Sequence, residues 1–161
     1  MSRQIKNIIA ITVFLICIGL INVAGQNIEI EIRGMNAFTF ILIIAVLLQV
    51  IFFIPSFLLK TEKYYDLVGS LTYITTMSLA YFSVENKTMI DSIIYFYVMV
   101  WASRLGIYLF RRVRNDGKDI RFEKAKRHFF WFLQYWMGQA LWVSLTAVSY
   151  THLRAHETLL D

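Results

Sequence analysis

Five long apolar runs, separated by short polar connections, organise the chain. They cover roughly Ile8–Ala24, Ala37–Leu59, Leu67–Val84, Ile93–Phe110 and Phe129–Tyr150. Most of these runs lack the polar face that a helix on the surface of a soluble domain carries. A helix that crosses a bilayer needs roughly 20 predominantly apolar residues, so each run is long enough. The pattern predicts an all-α polytopic membrane helix bundle of about five transmembrane helices. Between the first two runs, QNIEIEIRGM at Gln26–Met35 alternates Ile with Glu and Arg and reads as a brief strand or an interfacial stretch. Pro55, the only proline, falls in the last turns of the second run, where it kinks a helix or loosens its end. The third run is the most polar, with Ser70, Thr72, Tyr73, Thr75, Thr76 and Ser78. Small and hydroxylated residues let membrane helices approach and hydrogen-bond one another, which predicts a place inside the bundle. Asp91–Ser92 reads as a cap for the fourth helix, and Asn115–Asp116–Gly117 as a turn after it.

Composition agrees with this pattern. Hydrophobic residues make up 58% of the 161 and charged residues 17%, against about 45–50% apolar in soluble domains. The net charge of +5 would suggest nucleic acid for a soluble chain. Here the cations sit between the apolar runs, so they read as topology signals and headgroup contacts, and no nucleic-acid partner is expected. Arg3, Lys6, Lys60, Lys63, Arg111, Arg112, Arg114, Lys118, Arg121, Lys124, Lys126 and Arg127 fall on one side of a five-span layout. Arg33, Lys87 and Arg154 fall on the other. The positive-inside rule puts the first group, and the amino terminus with it, in the cytoplasm. The expected partner is the lipid bilayer, and a bacterial cytoplasmic membrane is preferred to the endoplasmic reticulum. Ile8–Ala24 reads as the first membrane helix, because it is long for a signal core and four more runs follow. Cys17 is the single cysteine, so no intrachain disulfide can form.

Arg104 is the one charged residue well inside a run. An arginine at the bilayer centre costs roughly 2.5–3.5 kcal/mol on insertion scales, so it either snorkels to the headgroups or serves as a fixed cation for a substrate carbonyl or cofactor phosphate. Tyr97, Trp101, Arg104, Tyr108 and Arg111 recur at helical spacing on one face, which is expected to face the bundle and line a pocket. Asp66, Gly69 and Tyr73 share a face of the third helix. Asp66 reads as a helix cap or as an ion-pair partner for Arg104 or the loop arginines. The predicted spans hold no carboxylate, hence no deeply buried acid or base. The basic stretch RRVRNDGKDIRFEKAKR reads as an anchor near anionic lipid, or as a phosphate clamp for a soluble cofactor. Asn86–Lys87–Thr88 matches a glycosylation acceptor weakly. His152 and His156, beside Glu157, fit no complete metal motif, and no metal site is expected.

Two segments resemble a known membrane family. DLVGSLTY at Asp66–Tyr73 and WASRLGIYLFRRVRNDGKDIRF at Trp101–Phe122 are similar to the family called domain of unknown function 1295, which is grouped with the steroid 5-alpha-reductases. FWFLQYWMGQALWVSL at Phe130–Leu145 resembles its next helix, so the resemblance covers roughly Pro55–Leu145. It implies a membrane reductase that uses NADPH to reduce an activated carbon–carbon double bond of a lipid-like or steroid-like substrate. In such a reaction a donor polarises the carbonyl oxygen while hydride reaches the beta carbon. On that implication Arg104 and Tyr73 are the candidate catalytic contacts. Tyr97, Trp101, Tyr108 and Asp66 would contact substrate, and Arg111, Arg112, Arg114 and Arg121 the cofactor phosphates. The family's Asn-Pro-x-Tyr-x-Gly-Glu type signature is not in this sequence. The positions comparable with the steroid reductases' embedded glutamate and tyrosine hold Phe53 and Trp101, which cannot do that proton chemistry. SYTHLRAHETLLD at Ser149–Asp161 breaks from the apolar run before it and resembles an adaptor-derived, non-native ending on a transmembrane region of residues 1–148. The chain as given is therefore expected to be a fragment without saturable NADPH binding. Two rival readings are a membrane methyltransferase of the isoprenylcysteine or phospholipid type, using S-adenosylmethionine, and a non-catalytic membrane scaffold.

Overall fold

The computed structural model describes residues 1–26, 30–117 and 119–157, and their side chains as far as residue 147. The fold is mostly helical. Helix α1 spans Arg3–Ala24, α2 Ala37–Leu58, α3 Tyr65–Phe82, α4 Met89–Asp116 and α5 Phe129–Glu157. Each predicted run lies within or almost within one helix, and the main differences are at the ends. α1 begins five residues before Ile8, because Ser2 accepts a hydrogen bond from the Ile5 N–H and caps it. α4 runs on through the arginines to Asp116 and stops at Gly117, whose φ of 76° supplies the left-handed C-cap. The cap at its start is Thr88, not the predicted Asp91–Ser92. Thr88 and Asp91 form a reciprocal capping box, with Asp91 at the third helical position. α2 continues through Pro55 to Leu58, so the proline falls in its last turn, where it removes one backbone hydrogen bond without ending the helix.

The described part of Gln26–Met35 contains the brief strand expected there. Glu31–Ile32 (β1) pairs antiparallel with Met35–Asn36 (β2). Arg33 and Gly34 both take positive φ, 55° and 77°, the geometry of a tight two-residue hairpin turn. Asn36 then caps α2 by accepting from the Phe38 and Thr39 N–H groups.

Among the described residues three helices, α1, α2 and α4, are long and apolar enough to cross a membrane. α3 packs against α2, α4 and α5, and α1 lies along α5. The expectation that the hydroxyl-rich third helix sits inside the bundle agrees with its buried Val68, Gly69, Ser70, Thr72, Tyr73, Thr76, Met77 and Ala80. α4 presents Ala102, Gly106 and Val113 as its buried face. A Cβ on Gly106 would come within 2.6 Å of the Ser70 Cβ, so the missing side chain sets how closely α3 and α4 approach.

Contacts at the helix ends give the packing direction. Arg3 lies over the Trp131 ring at 4.6 Å, Phe57 meets Phe129 at 5.2 Å, and Tyr64 stacks on Phe110 at 6.1 Å. At the opposite end Thr39 hydrogen-bonds Asn22, and Tyr81 stacks on Tyr95 at 4.3 Å. Successive helices therefore alternate in direction. The amino terminus, the 59–64 connection and the 119–128 segment share one end, and the described cations assigned to one side by sequence collect there.

Candidate functional site

That end of the bundle is built on an aromatic core. Phe53 of α2, Phe122 of the 117–128 segment, and Phe132 and Trp136 of α5 are all buried. Phe122 inserts between helices, with ring centroids 4.7 Å from Tyr65 and 4.9 Å from Tyr135. Its burial fixes the charged residues on either side. Glu62, almost wholly buried, receives the Lys126 ammonium at 2.7 Å and the Asp119 N–H at 3.1 Å. The Arg121 Nε donates to both Asp119 oxygens, at 3.0 and 2.9 Å, and its terminal nitrogen reaches Asp66 at 3.3 Å. Arg112 approaches Asp119 at 3.6 Å.

Electrostatics follow from these contacts. Burial alone would raise the Glu62 carboxyl, but the Lys126 hydrogen bond and the Asp119 N–H hold it below the ordinary carboxylate range. The Arg121 hydrogen bonds hold Asp119 below its ordinary value despite burial, and Asp119 in turn raises the Arg121 guanidinium. Both carboxylates are ionised and engaged at neutral pH. The network fastens the 117–128 segment onto α3 and presents no free acid or base.

The predicted site residues divide between this network and an outer face. Asp66 lies in the first turn of α3 and is no cap; Tyr64 holds the N-cap position without a side-chain bond. Of its two expected ion-pair partners it takes a loop arginine, Arg121, and not Arg104. The Tyr97, Trp101, Arg104, Tyr108 stripe lies on the opposite side of α4 from the expected one. Tyr97 is 67% exposed, Tyr108 62% and Trp101 47%, and Arg104 is exposed with them. The reason is packing: α4 buries its small residues against α3, which turns the large ones outward. Trp101 still meets Tyr73 edge-on at 5.2 Å. The buried Tyr73 hydroxyl lies 3.3 Å from the Thr146 hydroxyl. Sequence spacing thus brings Tyr73 and Trp101 together but leaves Asp66 and Arg104 apart.

At the polar end of the stripe, Arg104, Tyr108, Arg111, Arg112, Asn115 and Asp116 line an open groove of about 530 Å³. Among the described residues neither Arg104 nor Arg111 has an ion-pair partner, whereas Arg112 and Arg121 are drawn to carboxylates. The exposed Arg114 is not part of the groove lining. The groove thus offers guanidinium donors suited to a phosphate group.

Two features escaped the sequence reading. Gln49, fully buried at mid-length in α2, donates to Thr72 at 3.0 Å. Its Oε1, the Gln139 Oε1 and the Trp136 Nε1 are buried without a hydrogen-bond partner among the described residues. A lone amide in an otherwise apolar run was the available signal, since such groups seek partners across helices. The second is a cleft of about 490 Å³ between α1, α3 and α5, walled by Phe14, Tyr65, Trp131, Tyr135, Gln139 and Trp142. Only helix-to-helix packing creates it. Among the described residues no group of His, Cys, Asp and Glu could hold a metal. The side chains of His152 and His156 lie outside the described residues, as does the packing of the Ser149–Asp161 tail.

No curated protein and no solved structure matches the chain. The family described as "Protein of unknown function (DUF1295)" matches residues 52–160, a stretch holding α3, α4, the charged network and the groove. It also takes in both segments that carried the resemblance and covers more than half of the sequence. The chain belongs to this family.

Proposed function

We propose that these helices serve a membrane-embedded reductase that uses NADPH to reduce a carbonyl-conjugated double bond in a lipid-like molecule. The observation that carries this reading is a juxtaposition on α3 and α4. An apolar, bilayer-compatible surface bearing Trp101, packed edge-on against the buried Tyr73, runs into a guanidinium groove at the bundle's charged end. A lipid-like molecule suits the first part and a phosphate the second. The bundle is read as five spans, α3 and α5 crossing with the rest, with the amino terminus in the cytoplasm of a bacterial cell.

Within this reading Tyr73 and Arg104 polarise the substrate carbonyl, and Tyr97, Trp101 and Tyr108 hold its apolar body. Asp66 steadies Arg121 in the neighbouring charged network. Arg111, Arg112 and Arg114 contact the cofactor phosphates, while Arg121, committed to Asp119 and Asp66, keeps the neighbouring segment in place. NADPH supplies the hydride when bound.

The test uses membranes from cells expressing the gene that carries this sequence, given NADPH deuterated on its nicotinamide and an enone-bearing lipid. Deuterium should appear on the carbon beta to the carbonyl, and Arg104→Ala should slow transfer more than Arg112→Ala. Transfer of a labelled methyl group from S-adenosylmethionine instead would replace this reading with a methyltransferase. Activity with neither donor would leave a scaffold.

A further inference from the structure

A second cationic pocket, separate from the α4 groove, lies where α1 and α5 both begin. It encloses about 470 Å³ and is lined by Arg3, Gln4, Asn7, Arg127, His128 and Trp131, with no carboxylate among its lining residues. Arg3 is held across the face of Trp131. Neither Arg3 nor Arg127 has an ion-pair partner among the described residues. Asn7 is only 9% exposed, and its amide has no hydrogen-bond partner among the described residues. The Asn7 amide is thus open to a ligand in the pocket, and the arginines beside it have no counter-charge among the described residues. The first turn of α5 adds the positive end of a helix of 29 residues.

We propose that this pocket binds the phosphate headgroup of an anionic phospholipid. The surface beside it selects an amphiphile over a soluble anion. Ile8 and Leu15 of α1, on the same helical row as Gln4, stay 40% and 45% exposed, and that row runs from the pocket along the helix toward the bilayer interior. Acyl chains lie along that face while Arg3 and Arg127 hold the phosphate. Asn7 and Gln4 take the remaining headgroup oxygens, and Phe129 and Trp131 sit at headgroup depth, where aromatic rings favour the interface.

The experiment measures thermal unfolding of the full chain in a neutral detergent, titrated with dioctanoyl phosphatidylglycerol, dioctanoyl phosphatidylcholine or inorganic phosphate. The phosphatidylglycerol should raise the unfolding temperature saturably, and the other two should not. Arg127→Gln and Asn7→Ala should each weaken that response about tenfold, the loss expected for one charge-assisted contact. Lys63→Gln, an equal change of charge at the same end but outside the pocket, should leave it unaltered. Arg3→Gln gives the same readout through the other helix if either pocket variant fails to fold. An equal response to phosphatidylcholine, or an equal loss in Lys63→Gln, would overturn the proposal in favour of diffuse attraction. An equal response to inorganic phosphate would overturn the lipid as occupant.

Discussion

Glu62 has the most consequential side chain outside the helices. It is a buried carboxylate whose two oxygens are each committed, one to Lys126 and one to a backbone N–H of the 117–128 segment. Removing one member of a buried ion pair leaves the other uncompensated. Glu62→Ala should therefore destabilise the protein by about 2–3 kcal/mol, read as a fall in unfolding temperature in detergent. Lys63→Ala next to it, on an exposed side chain, should change little. The same contacts set a pH dependence. Glu62 and Asp119 titrate lower in the folded chain than in the unfolded one, so the unfolded chain binds more protons on acidification. Their contribution is complete above the ordinary carboxylate range and is lost as pH falls through the lowered folded values. Unfolding temperature should be flat from neutrality down to about pH 5 and then drop. Glu62→Gln should flatten part of that drop, and an unchanged acid limb would place the responsible groups elsewhere.

At the level of elements, the close seam between α3 and α4 holds the stripe in place. Gly106→Ala puts a methyl group into the Ser70 side chain; such overpacking costs about 1–3 kcal/mol. Combining it with Ser70→Gly should recover much of the loss, and a double mutant no better than the single would mean that Gly106 matters for another reason. The caps are tested by Thr88→Ala, which breaks the capping box at the start of α4 and should cost about 1 kcal/mol. The helices themselves were legible in the sequence because apolar length is a local property: Ala37–Leu59 was expected and Ala37–Leu58 is found. Their ends were less so. The sequence points to Asp91 where the cap is Thr88, because a capping box divides its work between two residues three apart. The facing of α4 differs from the expected one for a related reason. A stripe of aromatic and polar residues looks like a pocket wall, but the small residues Ala102 and Gly106 decide which side packs.

For the molecule as a whole, the alternation of helix direction and the gathering of positive charge at one end support each other. Charge counting along the sequence predicted the grouping of Lys60, Lys63 and the 111–127 cations with the amino terminus. The structure brings the same segments together through Phe122, Tyr65 and Trp131. What sequence could not supply were the pairings within that end. Asp119 with Arg121, Glu62 with Lys126, and the uncompensated Arg3 and Arg127 are distinguished only once the chain is folded. The clefts share that origin, since Phe14, Tyr65 and Trp142 are far apart along the chain. The most direct test of a membrane bundle with one cationic cytoplasmic end is side-specific thiol labelling. With Cys17 replaced by serine, single cysteines are placed at Lys63, Lys124 and Lys87 and treated with a membrane-impermeant reagent in intact cells and in inverted vesicles. Lys63→Cys and Lys124→Cys should react only in inverted vesicles and Lys87→Cys only in intact cells. Reaction of Lys63→Cys and Lys87→Cys from the same side would contradict the account.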